Sequence, residues 1–135
     1  MQSSGYPMPT TIAIVDDSPA IRKLIRAFIE SHTDWLVCGE AEDGNAAIAL
    51  AERLHPNLIV LDLSMPVKNG LDAARTIRSE SPESRMVLFT AHANDQLTIE
   101  AKQVGISTVL AKDEKASLEQ LVSILRQMRH NPDAA

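Results

Sequence analysis

Aromatic side chains are scarce in this sequence, at 3% of 135 residues, although hydrophobic residues together make up an ordinary 44%. A hydrophobic core must therefore be built almost entirely from leucine, isoleucine, valine, alanine and methionine. The length suffices for one core of usual size and not for two. We therefore expect a single domain with an aliphatic core over residues 10–129, preceded by a disordered leader over 1–9 and followed by a frayed tail over 130–135.

Cysteine is almost absent: Cys38 stands alone, so the chain cannot form an internal disulfide. This composition is compatible with a reducing cytoplasm, where we expect the protein to act. Cys38 ends the apolar run that begins at Trp35, and a free cysteine in such a run is usually a small buried side chain. We therefore do not predict a reactive thiol.

Long hydrophobic runs and clusters of positive charge are also missing. No apolar stretch approaches the ~18 residues of a membrane span, and the N-terminus has no basic segment followed by an apolar one, so no signal peptide is predicted. The formal net charge is −5, whereas a nucleic-acid surface needs clustered lysine and arginine. The five glycines form neither a dinucleotide-binding nor a Walker A loop. We therefore expect no membrane association and no direct binding of nucleic acid by this domain.

Short apolar runs alternate along the chain with segments of helical periodicity. Continuous apolar runs are typical of strands buried on both faces of a parallel sheet. Five such runs, each followed by a helical segment, predict the α/β class, with a doubly wound five-stranded parallel sheet and helices on both faces. The predicted strands are 11–15, 36–41, 58–61, 86–89 and 108–110, and the predicted helices are 19–30, a segment ending at 54, 71–80, 94–104 and 116–129.

Polar residues suited to chemistry follow four of the five predicted strands. Asp16 and Asp17 follow the first strand, Asp62 the third, Thr90 the fourth and Lys112 the fifth. The carboxyl ends of parallel strands share one edge of the sheet, and ligands bind beyond that edge where the strand order reverses. We therefore expect these five side chains to meet in one site.

The residue types in this group are those that metal-assisted phosphoryl transfer requires. Three neighbouring carboxylates repel one another and need a cation, and hard oxygen ligands suit Mg²⁺, which also accepts a phosphoryl oxygen. A carboxylate can itself accept a phosphoryl group, while an ammonium and a hydroxyl can bind the remaining phosphoryl oxygens. Each residue alone has a simpler interpretation, with Asp16 and Asp17 as helix caps and Asp62 as a turn residue. Their joint placement favours a site.

Four segments, in this order and spacing, resemble the receiver domains of bacterial two-component response regulators. They are 14–18 (Ile-Val-Asp-Asp-Ser), 61–66 (Leu-Asp-Leu-Ser-Met-Pro), Thr90-Ala91 and Lys112. The resemblance extends over about residues 10–128, nearly the whole chain. It implies a flavodoxin-like strand order of 2-1-3-4-5.

The resemblance also implies a role for each residue of the site. Asp62 is the phosphoryl acceptor, and Thr90 and Lys112 are the hydroxyl and the lysine of the family. Asp17 is the more direct metal ligand of the acidic pair. The implied ligands of Mg²⁺ are the side chains of Asp16, Asp17 and Asp62 and the backbone carbonyl of Ser64.

The implied function is that of a switch in phosphorelay signalling and not of an enzyme, since such a domain catalyses only its own phosphotransfer and dephosphorylation. The implied phosphoryl donor is a sensor histidine kinase or a phosphotransferase. The basic residues Arg22, Lys23 and Arg26 either help to dock that donor or form a solvated helix face. Phosphorylation changes the surface of the fourth helix, the fifth strand and the last helix. The output partner stays open: the domain stands alone, or it belongs to a regulator with a LuxR-type DNA-binding domain.

Two positions depart from the family pattern. Val109 stands where many members carry tyrosine or phenylalanine, and a β-branched side chain cannot swing as a ring does. Asp113 follows Lys112 where many members have a proline in a cis peptide. A rival interpretation is therefore a degenerate receiver that acts as a constitutive protein-binding module. Two others are disfavoured: an Asp-dependent phosphatase needs a cap insertion, and a flavodoxin-like flavin binder would place three carboxylates against the flavin phosphate.

Overall fold

The computed structural model of the chain describes residues 8–112 and 117–130. Strands and helices alternate within these residues, so the predicted α/β pattern is confirmed. The strands are β1 (Thr11–Val15), β2 (Leu36–Ala41), β3 (Leu58–Leu61), β4 (Arg85–Thr90) and β5 (Ile106–Ala111). The helices are α1 (Pro19–His32), α2 (Gly44–Leu54), α3 (Gly70–Glu80), α4 (Asp95–Gln103) and α5 (Ser117–His130).

The strands form one parallel sheet in the order β2-β1-β3-β4-β5, as predicted. Strand β2 lies on one side of β1 and β3 on the other, so the direction of strand addition reverses between β1 and β3. In a doubly wound sheet, this reversal opens a crevice at the carboxyl edge. Asp16 and Asp62 directly follow the two strands that border this crevice.

Helices cover both faces of the sheet, and each face has its own aliphatic core. Neighbouring residues of a strand point to opposite faces: Ala13 and Ile59 belong to one core, whereas Ile12 and Val60 belong to the other. The first core includes side chains from α2, α3 and α4. The second includes side chains from α1 and α5. Burial on both faces gives the strand ends a fixed position, which a site built at those ends requires.

Side-chain caps fix where four of the helices begin. Ser18, Asp43, Asn69 and Asn94 each accept a hydrogen bond from the backbone N–H three residues further on. Such a cap satisfies a donor that has no partner within the helix and is worth about 1 kcal/mol. All four caps stand in loops that lead from a strand into a helix, so they also fix the loops at the carboxyl edge.

The first helix differs from its sequence prediction in length and in its buried face. It runs to His32, beyond the predicted end at residue 30. The pattern Ile21, Leu24, Ile25 and Phe28 predicts that Leu24 faces the core, but Leu24 is 54% exposed, whereas Ile29 is fully buried. Because one turn of an α-helix takes 3.6 residues, Ile25 and Ile29 lie on the same face of α1. Leu24 lies at the margin of that buried face.

The predicted leader and tail lie mostly outside the described residues. Met8 and Pro9 of the leader are described, and His130 still belongs to α5. The peptide bond between Lys112 and Asp113 also lies outside them. Among the described helices, none is both long enough and apolar enough to span a membrane.

Candidate functional site

Two aspartates continue the hydrogen bonding of the central strands beyond the strand ends. The Asp16 N–H donates to the carbonyl of Ala41 at 3.1 Å, and the Asp62 N–H donates to the carbonyl of Val15 at 2.9 Å. Both aspartates are almost fully buried, with exposed fractions of 2% for Asp16 and 5% for Asp62. Their backbones are therefore fixed by the sheet, and their carboxylates lie at the crevice between β1 and β3.

Asp17 joins these carboxylates from the loop after β1. One carboxylate oxygen from each of Asp16, Asp17 and Asp62 lies within 4.8 Å of the other two. Asp17 itself is exposed, so solvent has access to the cluster from that side. The structure thus brings together the three carboxylates that the sequence places at one sheet edge.

Lys112 carries an ammonium into the same cluster from the end of β5. Its Nζ donates to Asp16 Oδ2 at 2.6 Å and lies 3.3 Å from Asp62 Oδ1. The same Nζ is 6.0 Å from the ring centroid of Phe89, close enough for the ring face to attract it. The backbone N–H of Lys112 donates to the Thr90 carbonyl at 2.8 Å. Both ends of the lysine are therefore held in place.

The cluster contains more negative than positive charge, and the pKa values of Asp62 and Lys112 are shifted within it. Burial, and next the charge of Asp16, raise the pKa of Asp62 above its usual value, and Lys112 offsets only part of that rise. Burial acts to lower the pKa of Lys112, but the hydrogen bond to Asp16 and the charge of Asp62 outweigh it and raise that pKa. Lys112 is therefore held as an ammonium, and the carboxylates still have charge left to neutralise.

This donor set fits a small divalent cation. Asp16 has both oxygens engaged, Oδ1 by the Ser18 N–H at 2.9 Å and Oδ2 by Lys112. Asp17 and Asp62 add nearby carboxylate oxygens, one exposed and one buried. Hard oxygen donors with room for water are what Mg²⁺ requires. Asp17 has the more available carboxylate of the Asp16 and Asp17 pair, and its implied role as the more direct ligand stays a prediction.

Thr90 ends β4, the strand that pairs with β3 on the side away from β1. It is 1% exposed, and its Oγ1 accepts a hydrogen bond from the His92 N–H at 3.2 Å. A hydroxyl accepts and donates at the same time. The proton of the Thr90 hydroxyl therefore remains available for donation, and its donation to a phosphoryl oxygen stays a prediction.

Two further positions singled out in the sequence are Ser64 and Val109. The Ser64 side chain is exposed in the loop after Asp62, and the role of its backbone carbonyl stays a prediction. Val109 pairs with Leu88 of β4 and packs against the core beneath α2, α3 and α4. Val109 has no ring that could rotate.

The loop between β3 and α3 folds closely against the end of β3. The Gly70 N–H donates to the Leu63 carbonyl at 2.9 Å, and a Cβ added at Gly70 would lie 2.3 Å from the Asp62 carbonyl oxygen. A Cβ at Gly44 would likewise lie 2.3 Å from the carbonyl oxygen of Lys68. These two glycines are therefore required by close backbone contacts around the site.

The same loop contains a strained turn. Val67 has a φ of 71°, a left-handed conformation that is costly for a β-branched residue. The Lys68 N–H donates to the Pro66 carbonyl at 2.7 Å, which closes a γ-turn around Val67. The Val67 side chain is 76% exposed, so little packing compensates for the strain.

We expect Val67→Asn to stabilise the protein by about 1 kcal/mol, because asparagine tolerates a positive φ better than a β-branched valine does. Urea unfolding monitored by circular dichroism measures this change. Val67→Thr is the matched control, because threonine keeps the branched Cβ and should bring no gain. Equal stabilities of Val67→Asn and Val67→Thr would contradict the assignment of strain to this turn.

One arginine that the sequence assigns to a docking or solvated face lies against the site instead. Arg22 donates through Nη1 to the Asp16 carbonyl oxygen at 2.7 Å and through Nε to Glu40 Oε1 at 3.0 Å. Arg26 also donates to Glu40, at 2.7 Å, whereas Lys23 is exposed. Arg22 is therefore largely covered, with its side chain 18% exposed, and a role of these basic residues in docking a donor stays a prediction. The sequence offers one signal for this contact, the position of Arg22 on the helix that directly follows the acidic pair.

Comparisons with known proteins point to one family. Residues 12–126 match the family described as the response regulator receiver domain. The nitrate/nitrite response regulator protein NarL of Escherichia coli (strain K12) is 37% identical over 119 residues, which cover 88% of this chain and 54% of NarL. Protein CcdB of Bacillus subtilis (strain 168) is 33% identical over 123 residues, which cover 90% of this chain and 99% of CcdB. The chain thus spans about half the length of NarL and nearly all of CcdB.

Solved structures agree with this family and with the fold. The response regulator domain of Thermotoga maritima CheB superposes with a TM-score of 0.80 at 27% identity, over 91% of this chain and 96% of that one. The REC domain of AraT, a response regulator from Geobacillus stearothermophilus, superposes with a TM-score of 0.80 at 28% identity, over 93% of this chain and 98% of that one.

Proposed function

The chain belongs to the response regulator receiver domain family, and we propose on that premise that it is a switch whose phosphoryl acceptor is Asp62. Receiver domains of response regulators act in phosphorelay signalling. One observation carries the assignment to Asp62: its buried carboxylate lies at the crevice, beside the Lys112 ammonium and among carboxylates that can hold a cation. The donor is a sensor histidine kinase or a phosphotransferase, and the cofactor is Mg²⁺.

In the proposed reaction, an Asp62 carboxylate oxygen forms a bond to phosphorus while the P–N bond of a phosphohistidine donor breaks. The electron pair of the broken bond returns to the imidazole nitrogen of the donor, and the product is an acyl phosphate on Asp62. Burial, and next the charge of Asp16, raise the pKa of Asp62, and the Lys112 ammonium offsets only part of that rise. Neutralisation by the surroundings is therefore the main requirement for the step.

The oxygens of Asp16, Asp17 and Asp62 and the Ser64 backbone carbonyl are the proposed ligands of Mg²⁺. When bound, the metal supplies the positive charge that allows an anionic phosphoryl group to approach three carboxylates. Asp16, engaged by Ser18 and Lys112, mainly orients the lysine. Asp17 is free to face the metal directly.

Lys112 and Thr90 would each bind an oxygen of the phosphoryl group on Asp62. The Lys112 ammonium lies 3.3 Å from Asp62 and forms a charge-assisted hydrogen bond to one oxygen of the group on Asp62. Thr90 donates its hydroxyl proton to another. The phosphoryl group adds about −1.5 to −2 charges, so it draws Thr90 inward and shifts the backbone that leads into α4. The proposed output is a change of the surface made by α4, β5 and α5.

The proposal also covers the boundaries of the domain, its cellular location and its output partner. The domain occupies residues 10–129, with 1–9 as leader and 130–135 as tail, and it works in the cytoplasm as response regulators typically do. NarL has about twice the matched length and CcdB has nearly the same length. The output partner is accordingly either a fused LuxR-type DNA-binding domain or a separate protein. The domain itself catalyses only its own phosphotransfer and dephosphorylation.

The test is titration of the full chain with beryllofluoride, a phosphoryl mimic, followed by amide NMR with and without Mg²⁺. We expect shifts at Asp62, Thr90 and Lys112 that need both additions and that are absent in Asp62→Asn. Shifts that extend into α4 and α5 would support the proposed output surface.

A chain that shows no shift at any of these residues with both additions would contradict the proposed switch. Such a result would favour the rival interpretation, a receiver that binds a protein partner constitutively. The departure at Val109 supports this rival. Shifts confined to the site, with none in α4 or α5, would keep the phosphoryl acceptor and reject the proposed output surface.

A further inference from the structure

We propose that Arg22 is a positioning residue for the metal-binding aspartates, holding the peptide group between Asp16 and Asp17 in the orientation that brings Asp17 to the cluster. This inference rests on the proposed function, because it takes Asp17 to be a ligand of Mg²⁺. Arg22 acts through the backbone of Asp16 and is not itself a ligand or a catalytic residue.

The contact lies at the point of the chain that controls Asp17. Arg22 Nη1 donates to the Asp16 carbonyl oxygen at 2.7 Å, and this oxygen belongs to the peptide group that joins Asp16 to Asp17. A peptide group is planar, so fixing its oxygen also fixes the direction in which Asp17 leaves it. On its other side, Asp16 is already held by its N–H bond to Ala41 at 3.1 Å. Arg22 therefore fixes the side of Asp16 that leads to the metal ligand.

The guanidinium of Arg22 is itself held from strand β2. Arg22 Nε donates to Glu40 Oε1 at 3.0 Å, and Arg26 Nε donates to Glu40 Oε2 at 2.7 Å. Partial burial acts to raise the pKa of Glu40, but the hydrogen bonds from Arg26 and Arg22 outweigh it and lower that pKa. Glu40 therefore stays charged at neutral pH. The Arg22 side chain is only 18% exposed, as expected of a group that bridges two elements.

Arg22 and Arg26 differ in geometry and not in charge. Both lie on α1, and both form an ion pair with Glu40, a kind of interaction that contributes little at an exposed surface. Arg22 bridges Glu40 and the Asp16 carbonyl, because its planar guanidinium donates in two fixed directions. Loss of Arg22 should therefore alter metal binding, whereas loss of Arg26 should remove only its two ion pairs near the surface, with Glu40 and Glu30.

The experiment is titration of the metal-free full chain with Mg²⁺ by isothermal titration calorimetry, comparing Arg22→Gln and Arg26→Gln with the unsubstituted protein. We expect Arg22→Gln to raise the Kd for Mg²⁺ roughly 10-fold, as is common when a residue that orients a metal ligand is lost. We expect Arg26→Gln to change the Kd by less than about 2-fold. Without metal, the amide signals of Asp17 and Ser18 should shift in Arg22→Gln and stay in place in Arg26→Gln.

Arg22→Lys distinguishes the effect of the guanidinium geometry from the effect of the positive charge. It also replaces Arg22→Gln in the experiment if Arg22→Gln does not fold. Lysine keeps the positive charge but lacks the fork of donors, so its Mg²⁺ affinity should be as low as that of Arg22→Gln. Equal affinities in Arg22→Gln and Arg26→Gln, or full affinity in Arg22→Lys, would overturn the role of Arg22 and leave the proposed function intact. An unsubstituted chain that binds no Mg²⁺ would overturn both.

Discussion

Asp62→Asn is expected to abolish phosphorylation of this chain and, at the same time, to make the metal-free protein more stable. The first effect follows because the asparagine amide has no anionic oxygen to attack phosphorus. Asp16 is a poor substitute, since its two carboxylate oxygens are bound to the Ser18 N–H and to Lys112. Incubation with phosphoramidate should add one phosphoryl group to the unsubstituted protein and none to the variant, as measured by intact-protein mass spectrometry.

The gain in stability follows from the charges around Asp62. Burial and the charge of Asp16 raise the pKa of Asp62, which means that the folded protein disfavours the Asp62 carboxylate relative to the unfolded chain. Carboxylate oxygens of Asp16 and Asp62 lie within 4.8 Å of each other. Two unit charges about 4 Å apart repel by about 4 kcal/mol at an effective dielectric constant of ~20, and attraction to Lys112 offsets only part of this repulsion. We therefore expect a net gain on the order of 1 kcal/mol in the variant, or a melting temperature higher by about 4 °C.

Asp72→Asn is the matched control for this experiment. It also removes one negative charge, but from the exposed first turn of α3. A carboxylate at that position interacts favourably with the helix dipole and stabilises the helix. The control should be slightly less stable than the unsubstituted protein and should be phosphorylated normally. Phosphorylation of Asp62→Asn at another residue would contradict the assignment of the acceptor, and a loss of stability in EDTA would contradict the charge argument.

The fold and the membership of the acidic cluster were predictable from the sequence because both follow from strand ends. Apolar runs that lead directly into Asp16 and Asp62 locate the ends of β1 and β3, and parallel pairing brings those ends together. No knowledge of side-chain packing enters this inference. The hydrogen bond from the Lys112 N–H to the Thr90 carbonyl continues the parallel pairing of β4 and β5. The ends of these two strands therefore also lie next to each other, as parallel pairing predicts.

What was not predictable depends on packing around the strand ends. Leu24 is exposed and Ile29 is buried because the packing of α1 on the sheet determines which face of the helix is buried. Helical periodicity alone is compatible with burial of either residue. The contact of Arg22 with Asp16 depends on Glu40, a residue from a different strand. The positive φ of Val67 could not be predicted from the residue type, because valine is among the residues least suited to a positive φ.

Gly70→Ala is expected to damage both the stability and the phosphorylation of this domain, although alanine is the better helix former. The added Cβ would lie 2.3 Å from the Asp62 carbonyl oxygen and 3.1 Å from the Leu63 Cα, and both are backbone atoms. Neither can move without displacing the end of β3, where Asp62 stands. Overpacking of this kind costs about 1–3 kcal/mol, and a displacement of about 1 Å at the acceptor can slow transfer roughly 100-fold. Urea unfolding and the rate of labelling by phosphoramidate measure the two effects.

Gly39→Ala is the control that separates this contact from the general cost of removing a glycine. Its Cβ would meet Leu50 Cδ1 at 2.8 Å, which is the end of a flexible side chain that can turn away. Gly39 lies on the edge strand β2, away from Asp62, so its substitution should leave labelling by phosphoramidate unchanged. If Gly70→Ala were labelled as fast as Gly39→Ala, the end of β3 would have to be free to shift without loss of function. The position of Asp62 would then not depend on the close approach of α3, and the rigid placement of the acceptor, on which the proposed chemistry depends, would have to come from the sheet alone.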